Sequence, residues 1–135
     1  MCIRDSAKKV DAIFDARLII PEELDFPDDE FCILLSNLLE NALYAVSHQQ
    51  SGKRYIYLRG EQSDGKLRLV IDNSFTGTVN TENGRFLSSK HKGFGTGILS
   101  VQSMVRKFGG LVSFDTSENI FRVSIIIPLK NTKNN

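Results

Sequence analysis

Between Phe31 and Val46 the apolar residues Phe31, Leu34, Leu35, Leu38, Leu39, Ala42, Leu43, Ala45 and Val46 recur with helical spacing around most of a circumference, which predicts a central helix. Pro27-Asp28-Asp29-Glu30 opens it, with acidic residues in the first turn to suit the helix dipole and Asp28 as the expected cap; the helix should end near Ser47. Its polar positions Asn37, Asn41, Tyr44 and His48 lie four, three and four residues apart, so they form one stripe. Before the helix, Ala12–Ile20 reads as a strand stopped by Pro21. After it, Arg54–Glu61 alternates Tyr55, Tyr57 and Arg59 against Ile56, Leu58 and Gly60. Ser63-Asp64-Gly65-Lys66 is a hairpin turn, and Leu67–Ile71 is the partner strand.

Periodicity then lapses. Ser74 to Lys92 is polar and rich in Ser, Thr, Asn and Gly, a length that inside a compact domain marks a functional lid. From about Thr96 to Phe108 a second amphipathic helix carries Ile98, Leu99, Val101, Met104, Val105 and Phe108, and Gly109-Gly110 terminates it. Leu111–Asp115 and Ile120–Ile127 form a last hairpin, ended by Pro128. The expected architecture is α+β: a two-layer α/β sandwich whose mixed, mostly antiparallel sheet is covered on one face by at least two helices. Residues 1–11 are unplaced, 12–129 form one domain, and 130–135 are a polar tail.

Bulk properties narrow the function classes. The 135 residues suffice for one core. Seventeen basic against 16 acidic residues give a net charge of +1, hence no electrostatic reason to expect nucleic acid or an anionic membrane as partner. No apolar run reaches the roughly 18–20 residues of a membrane span. Cys2 and Cys32 have neither metal nor redox spacing and read as free thiols in a reducing compartment.

Three polar features interrupt the core pattern. Gly93-Phe94-Gly95-Thr96-Gly97 runs into a helix, where bare backbone N–H groups can cradle an anion; a turn with a flexible cap would look the same. Asp72 ends an apolar strand, where it could accept a hydrogen bond from an exocyclic amine or close an Asx-turn. Asn37 and Asn41 put two amides on a helix otherwise built for burial. Either they bond neighbouring backbone, or an amide oxygen serves a hard cation such as Mg²⁺.

Taken in order, NLLENAL, IDNSFTG and GFGTGILSV resemble the asparagine box and the two glycine boxes of the ATP-binding domain shared by histidine kinases, gyrases, chaperones and mismatch-repair ATPases (the Bergerat-type fold). FGGLVSF and FRVSIIIPL resemble the helix end and closing strands of the sensor-kinase branch, so the likeness runs from about Asp11 to Leu129. Ser88-Ser89-Lys90 is similar to the peptide quorum-sensing subgroup. The resemblance implies ATP and Mg²⁺ as cofactors, with Asn37 and Asn41 as catalytic amides that also contact the nucleotide, and Asn41 as the metal ligand. Asp72 would hold the adenine amine. Gly77, Ser89, Lys90, Gly93, Gly95, Thr96, Gly97 and Ile98 would contact the rest of the nucleotide. Hydrolytic relatives carry a glutamate where Asn37 stands. An amide cannot activate water, whereas a neutral imidazole with a pKa near ~6.5 already offers a lone pair, so Asn37 favours phosphoryl transfer to histidine.

Two departures stand out: Ser74 and Thr76 occupy positions where the first glycine box has glycines, and Tyr44 replaces a basic residue, which shifts phosphate neutralisation to Lys90 or Lys92. His48 and His91 read as solvated. The implied partners are a histidine-bearing dimerisation hairpin on the same or a sister chain and, indirectly, a response regulator. Nothing in this sequence matches that hairpin, so the chain is expected to be the catalytic part of a cytoplasmic region of a membrane-anchored bacterial sensor kinase, itself not inserted in the membrane. The alternatives are a non-catalytic ATP-binding docking module or a serine-directed anti-sigma-type kinase.

Overall fold

The computed structural model describes residues 5, 8, 9, 11–20, 26–49, 52–75, 81–82, 85–86, 92–117 and 119–129; for 81–82, 85–86 and 92–97 it describes the backbone course alone. The elements are β1 (Ile13–Ile19), α1 (Asp28–Ser47), β2 (Tyr55–Ser63), β3 (Lys66–Ser74), β4 (Thr81–Glu82), β5 (Arg85–Phe86), α2 (Lys92–Lys107), β6 (Leu111–Ser117) and β7 (Ile120–Pro128). Five strands make one sheet in the order β1-β2-β3-β7-β6, while β4 and β5 pair separately. In this sheet β1 and β2 run parallel, and β2–β3, β3–β7 and β6–β7 are antiparallel. The expected two-layer α+β sandwich is what forms.

Its core follows from period 2 meeting period 3.6. Ile56, Leu58, Leu67, Leu69, Ile71, Phe121, Val123, Ile125 and Ile127 alternate along β2, β3 and β7, and all are buried. Leu34, Leu38, Ala42 and Val46 of α1 and Ile98, Val101 and Val105 of α2 complete the same cluster. Register fixes which residues share a level. Ile71 pairs with Leu58 and Val123, Asp72 with Tyr57 and Arg122, and Asn73 with Ile56 and Phe121.

Several boundaries depart from the sequence reading. Pro27, not Asp28, occupies the N-cap of α1, with no side-chain capping bond. Its carbonyl accepts the Phe31 N–H at 2.9 Å, and the acidic residues populate the first turn instead. The strand β3 extends three residues past Ile71, so Ser74 belongs to the sheet and not to a lid. Antiparallel partners on both sides, β2 and β7, carry the ladder that far although the side chains have turned polar. The helix α2 starts at Lys92, four residues early, taking the glycine run into its first turns. At its other end Gly109 sits at φ +75°, and the Gly109 and Gly110 N–H groups reach the carbonyls of Arg106 and Val105. That is a Schellman stop. A Cβ on Gly110 would lie 2.4 Å from the Ile126 carbonyl oxygen, so glycine is also required there by packing. Cys32 is a free, exposed thiol, and Cys2 lies outside the described residues. Among the described residues no helix is long and apolar enough to cross a membrane.

Candidate nucleotide site

Among the described residues, the buried side of α1 presents a polar atom with no hydrogen-bond partner. Asn41 is 7% exposed, and its Oδ1 is sealed from solvent with no hydrogen-bond partner among the described residues. A buried carbonyl oxygen without a donor costs about 1–3 kcal/mol, so its retention in a core helix calls for an explanation outside the fold. Asn37, one turn earlier, is half-buried. Further along the stripe the Tyr44 and His48 rings pack 4.0 Å apart, and His48 Nδ1 lies 3.0 Å from the Tyr44 carbonyl oxygen, so these two residues close the helix end.

A network of short bonds locks that helix end to the end of β3. Gln49 is buried; its Nε2 donates to the Lys53 carbonyl at 2.8 Å and its Oε1 accepts the Ser74 hydroxyl at 2.6 Å. Ser74 Oγ in turn accepts the Tyr55 backbone N–H at 3.0 Å, and Arg54 Nη2 donates to the Gln49 carbonyl at 2.7 Å. Ser74, where the resemblance implies glycine, thus has a structural task, because its hydroxyl joins the segment after α1 to β2 and β3. Asn41 lies six residues before Ser47, the last residue of α1, about 9 Å back along the helix axis.

At the end of β3 the pleat separates two neighbours. Asn73 continues the Leu67–Leu69–Ile71 series and shares its level with buried Ile56 and Phe121, so it belongs to the helix-covered face. It is 3% exposed, and its Nδ2 donates to the Ser74 carbonyl at 2.9 Å. Asp72 belongs to the opposite, open face, in a row formed with Tyr57, Arg122 and Asp115. Both its oxygens are engaged by Arg122, Nε at 2.7 Å and Nη2 at 2.9 Å. These bonds, then the carboxylate's charge, raise the Arg122 pKa further above its ordinary value. Burial, then the charges of Tyr57 and Asp72, push the Tyr55 phenol up as well.

The expected site residues therefore divide. Asn41 and Asn37 lie on α1, and Gly93, Gly95, Thr96 and Gly97 lie in the first turns of α2, the helix packed beside α1. The first four N–H groups of a helix have no partner within it, so this run keeps anion-binding capacity although it is helical and not a loop. Ile98 is buried in the core and can offer a nucleotide only an apolar wall. Gly77, Ser89 and Lys90 fall outside the described residues, as does His91. Asp72, expected to hold the base, does not share a face with Asn41. Strand phase was the available signal: alternation from Leu67 reaches Asn73 and skips Asp72.

Comparison with known proteins agrees with this fold. The sequence profile of the GHKL domain matches residues 28–128. A probable C4-dicarboxylate sensor kinase of Bacillus subtilis is 30% identical over 116 residues, covering 82% of this chain and 21% of the kinase, so the chain spans about a fifth of that relative. The catalytic domain of histidine kinase ThkA superposes with a TM-score of 0.68 at 20% identity, covering 94% of this chain and 90% of that one. Histidine kinase AdeS of Acinetobacter baumannii gives 0.68 at 13% identity, with 96% and 60% covered, and the mycobacterial sensor histidine kinase MprB gives 0.63 at 20%, with 93% and 92% covered. At these identities the solved structures speak to the fold.

Proposed function

The chain belongs to the GHKL-domain family, and from that premise we propose that it binds Mg·ATP and passes the γ-phosphoryl group to a histidine carried on a separate segment, as the catalytic part of a two-component sensor kinase. The observation that carries this reading is the orphaned Asn41 oxygen on the buried side of α1. An amide oxygen is the hard ligand Mg²⁺ accepts, and Mg²⁺ commonly completes its octahedron with water and substrate phosphates. The residues present therefore fit the ion. When bound, Mg²⁺ would neutralise charge on the β- and γ-phosphates.

The chain's own contribution is placement. Asn41 supplies the oxygen ligand, and the backbone N–H groups at the start of α2 receive phosphate oxygens. Ile98 closes the apolar side, and Gly77, Ser89 and Lys90 complete the proposed set on the strength of the resemblance. In the transfer, a neutral imidazole nitrogen forms the new P–N bond as the P–O bond to the leaving ADP breaks. Positioning and charge neutralisation dominate such reactions. Asn37, an amide, cannot withdraw a proton from water, which favours transfer over hydrolysis.

The resemblance to sensor kinases, together with the relative's designation, supports a phosphoacceptor hairpin and a response regulator as partners and a cytoplasmic position within a membrane-anchored kinase. The peptide quorum-sensing likeness rests on residues 88–90, outside the described structure, and the 30% relative is named for a dicarboxylate.

Asn41→Ala tests the reading. Calorimetry should find Mg·ATP affinity abolished while thermal unfolding stays cooperative. Undiminished affinity would remove the foundation of the assignment. Supplying a histidine-bearing helical hairpin in trans should give an acid-labile phosphoprotein; binding without transfer would mark a docking module, and an acid-stable product a serine-directed kinase.

A further inference from the structure

We propose that Asn73, and not the adjoining carboxylate Asp72, recognises the purine, with its side-chain Oδ1 accepting a hydrogen bond from an exocyclic 6-amino group. The inference rests on the reading that the chain binds an adenine nucleotide, and it names the residue that selects the base. Three observations carry it. The pleat of β3 puts Asn73 on the face that α1 and α2 cover and puts Asp72 on the face they leave open. Both Asp72 oxygens are already committed to Arg122. Asn73 is a polar side chain, 3% exposed, whose Nδ2 gives one hydrogen to the Ser74 carbonyl while Oδ1 accepts nothing among the described residues.

An amide alone is ambiguous, because turned one way it accepts from the 6-amino group of adenine and turned the other it donates to the 6-oxo group of guanine. Here the Ser74 carbonyl removes the ambiguity. With one Nδ2 hydrogen held on that carbonyl, the amide is fixed in orientation and Oδ1 is left uncommitted, an acceptor that suits the 6-amino group of adenine and not the 6-oxo group of guanine. Ser74 is itself held by Gln49 and Tyr55, which makes it a positioning residue for the amide. The result is an oriented acceptor that carries no charge.

The experiment measures calorimetric affinity of the intact chain for ATP, for GTP and for purine riboside triphosphate, which lacks the 6-amino group. Wild type should bind ATP about tenfold more tightly than the deaminated analogue, the scale of one net hydrogen bond. Asn73→Ala should bind the two alike, and Asn73→Asp, which keeps an acceptor in place, should retain the preference. Asp72→Asn should retain it too. A preference that survives in Asn73→Ala, or that disappears in Asp72→Asn, overturns the inference. Should Asn73→Ala fail to fold, Asn73→Ser decides by the same ratio. Absence of binding by any of the nucleotides to wild type defeats the nucleotide reading itself, whereas binding with an unchanged ratio in Asn73→Ala defeats only the inference.

Discussion

The two faces of β3 differ more than their one-residue offset suggests. On one, Leu67, Leu69, Ile71 and Asn73 meet the helices; on the other, Arg68, Val70 and Asp72 look out from a sheet that no described helix covers. Polar groups on the covered face lie where water does not compensate them, so each is matched or left as a potential ligand contact. Nδ2 of Asn73 is matched; Oδ1 of Asn41 is not. On the open face polar groups pair with one another, as Asp72 does with Arg122. The same residue chemistry thus points to ligand binding on one side and to sheet stabilisation on the other, and strand phase decides which.

The largest effect that would sharpen this contrast comes from consecutive substitutions. Leu69→Ala removes a side chain 1% exposed in the core and should cost about 2–5 kcal/mol by chemical denaturation. Val70→Ala, half-buried on the open face, should cost a small part of that. Similar losses at both positions would mean that the open face is covered in solution.

Next in size is Ser74→Ala. It takes the acceptor from the Tyr55 N–H and the donor from Gln49 Oε1, both within a buried cluster, and should lower stability by about 1–3 kcal/mol. Ser74→Gly, the residue type that the resemblance to the first glycine box implies there, should fare no better, because the hydroxyl does the joining. A Ser74→Gly protein as stable as wild type would show that the network is incidental.

How much of this was legible beforehand follows the same division. Helix α1, the hairpin β2–β3, the Gly109-Gly110 stop and the sandwich itself could be read because apolar periodicity and turn chemistry set them locally. The amides of α1 announced themselves as polar residues in an apolar stripe. What could not be read was decided by partners distant in sequence. The extension of β3 to Ser74 depends on pairing with Ile120, 46 residues later, and the engagement of Asp72 depends on Arg122. The Asp72 expectation came from the resemblance to the first glycine box; the phase of the strand, legible in Leu67, Leu69 and Ile71, puts Asn73 and not Asp72 on the covered face.

A smaller effect attends the ion pair itself. Arg122 is bidentate, yet its side chain is 51% exposed against 8% for Asp72. Screening at the arginine end holds the pair to about 0.2–1 kcal/mol, which Asp72→Asn should lose. Arg122→Met should cost more, since it leaves a buried carboxylate with no cation. Equal losses would mean that Asp72 is better hydrated than its burial indicates.

The smallest effect probes the same face through pH. The Tyr55 phenol is held above its ordinary pKa of 10.0, by burial first and then by the negative charges of Tyr57 and Asp72. A folded-state pKa above the unfolded one means that the native protein binds the phenolic proton more tightly. The associated stability is complete below pH 10 and is lost as pH rises through the folded-state pKa. Ultraviolet difference titration should find Tyr55 ionising above pH 10.0, and Tyr57→Phe should bring it earlier by removing the second cause. Asp72→Asn should bring it earlier still less, because its charge ranks third and Arg122 neutralises it nearby. A tyrosine titration insensitive to both substitutions would leave burial alone as the cause and detach Tyr55 from the charged row of the open face.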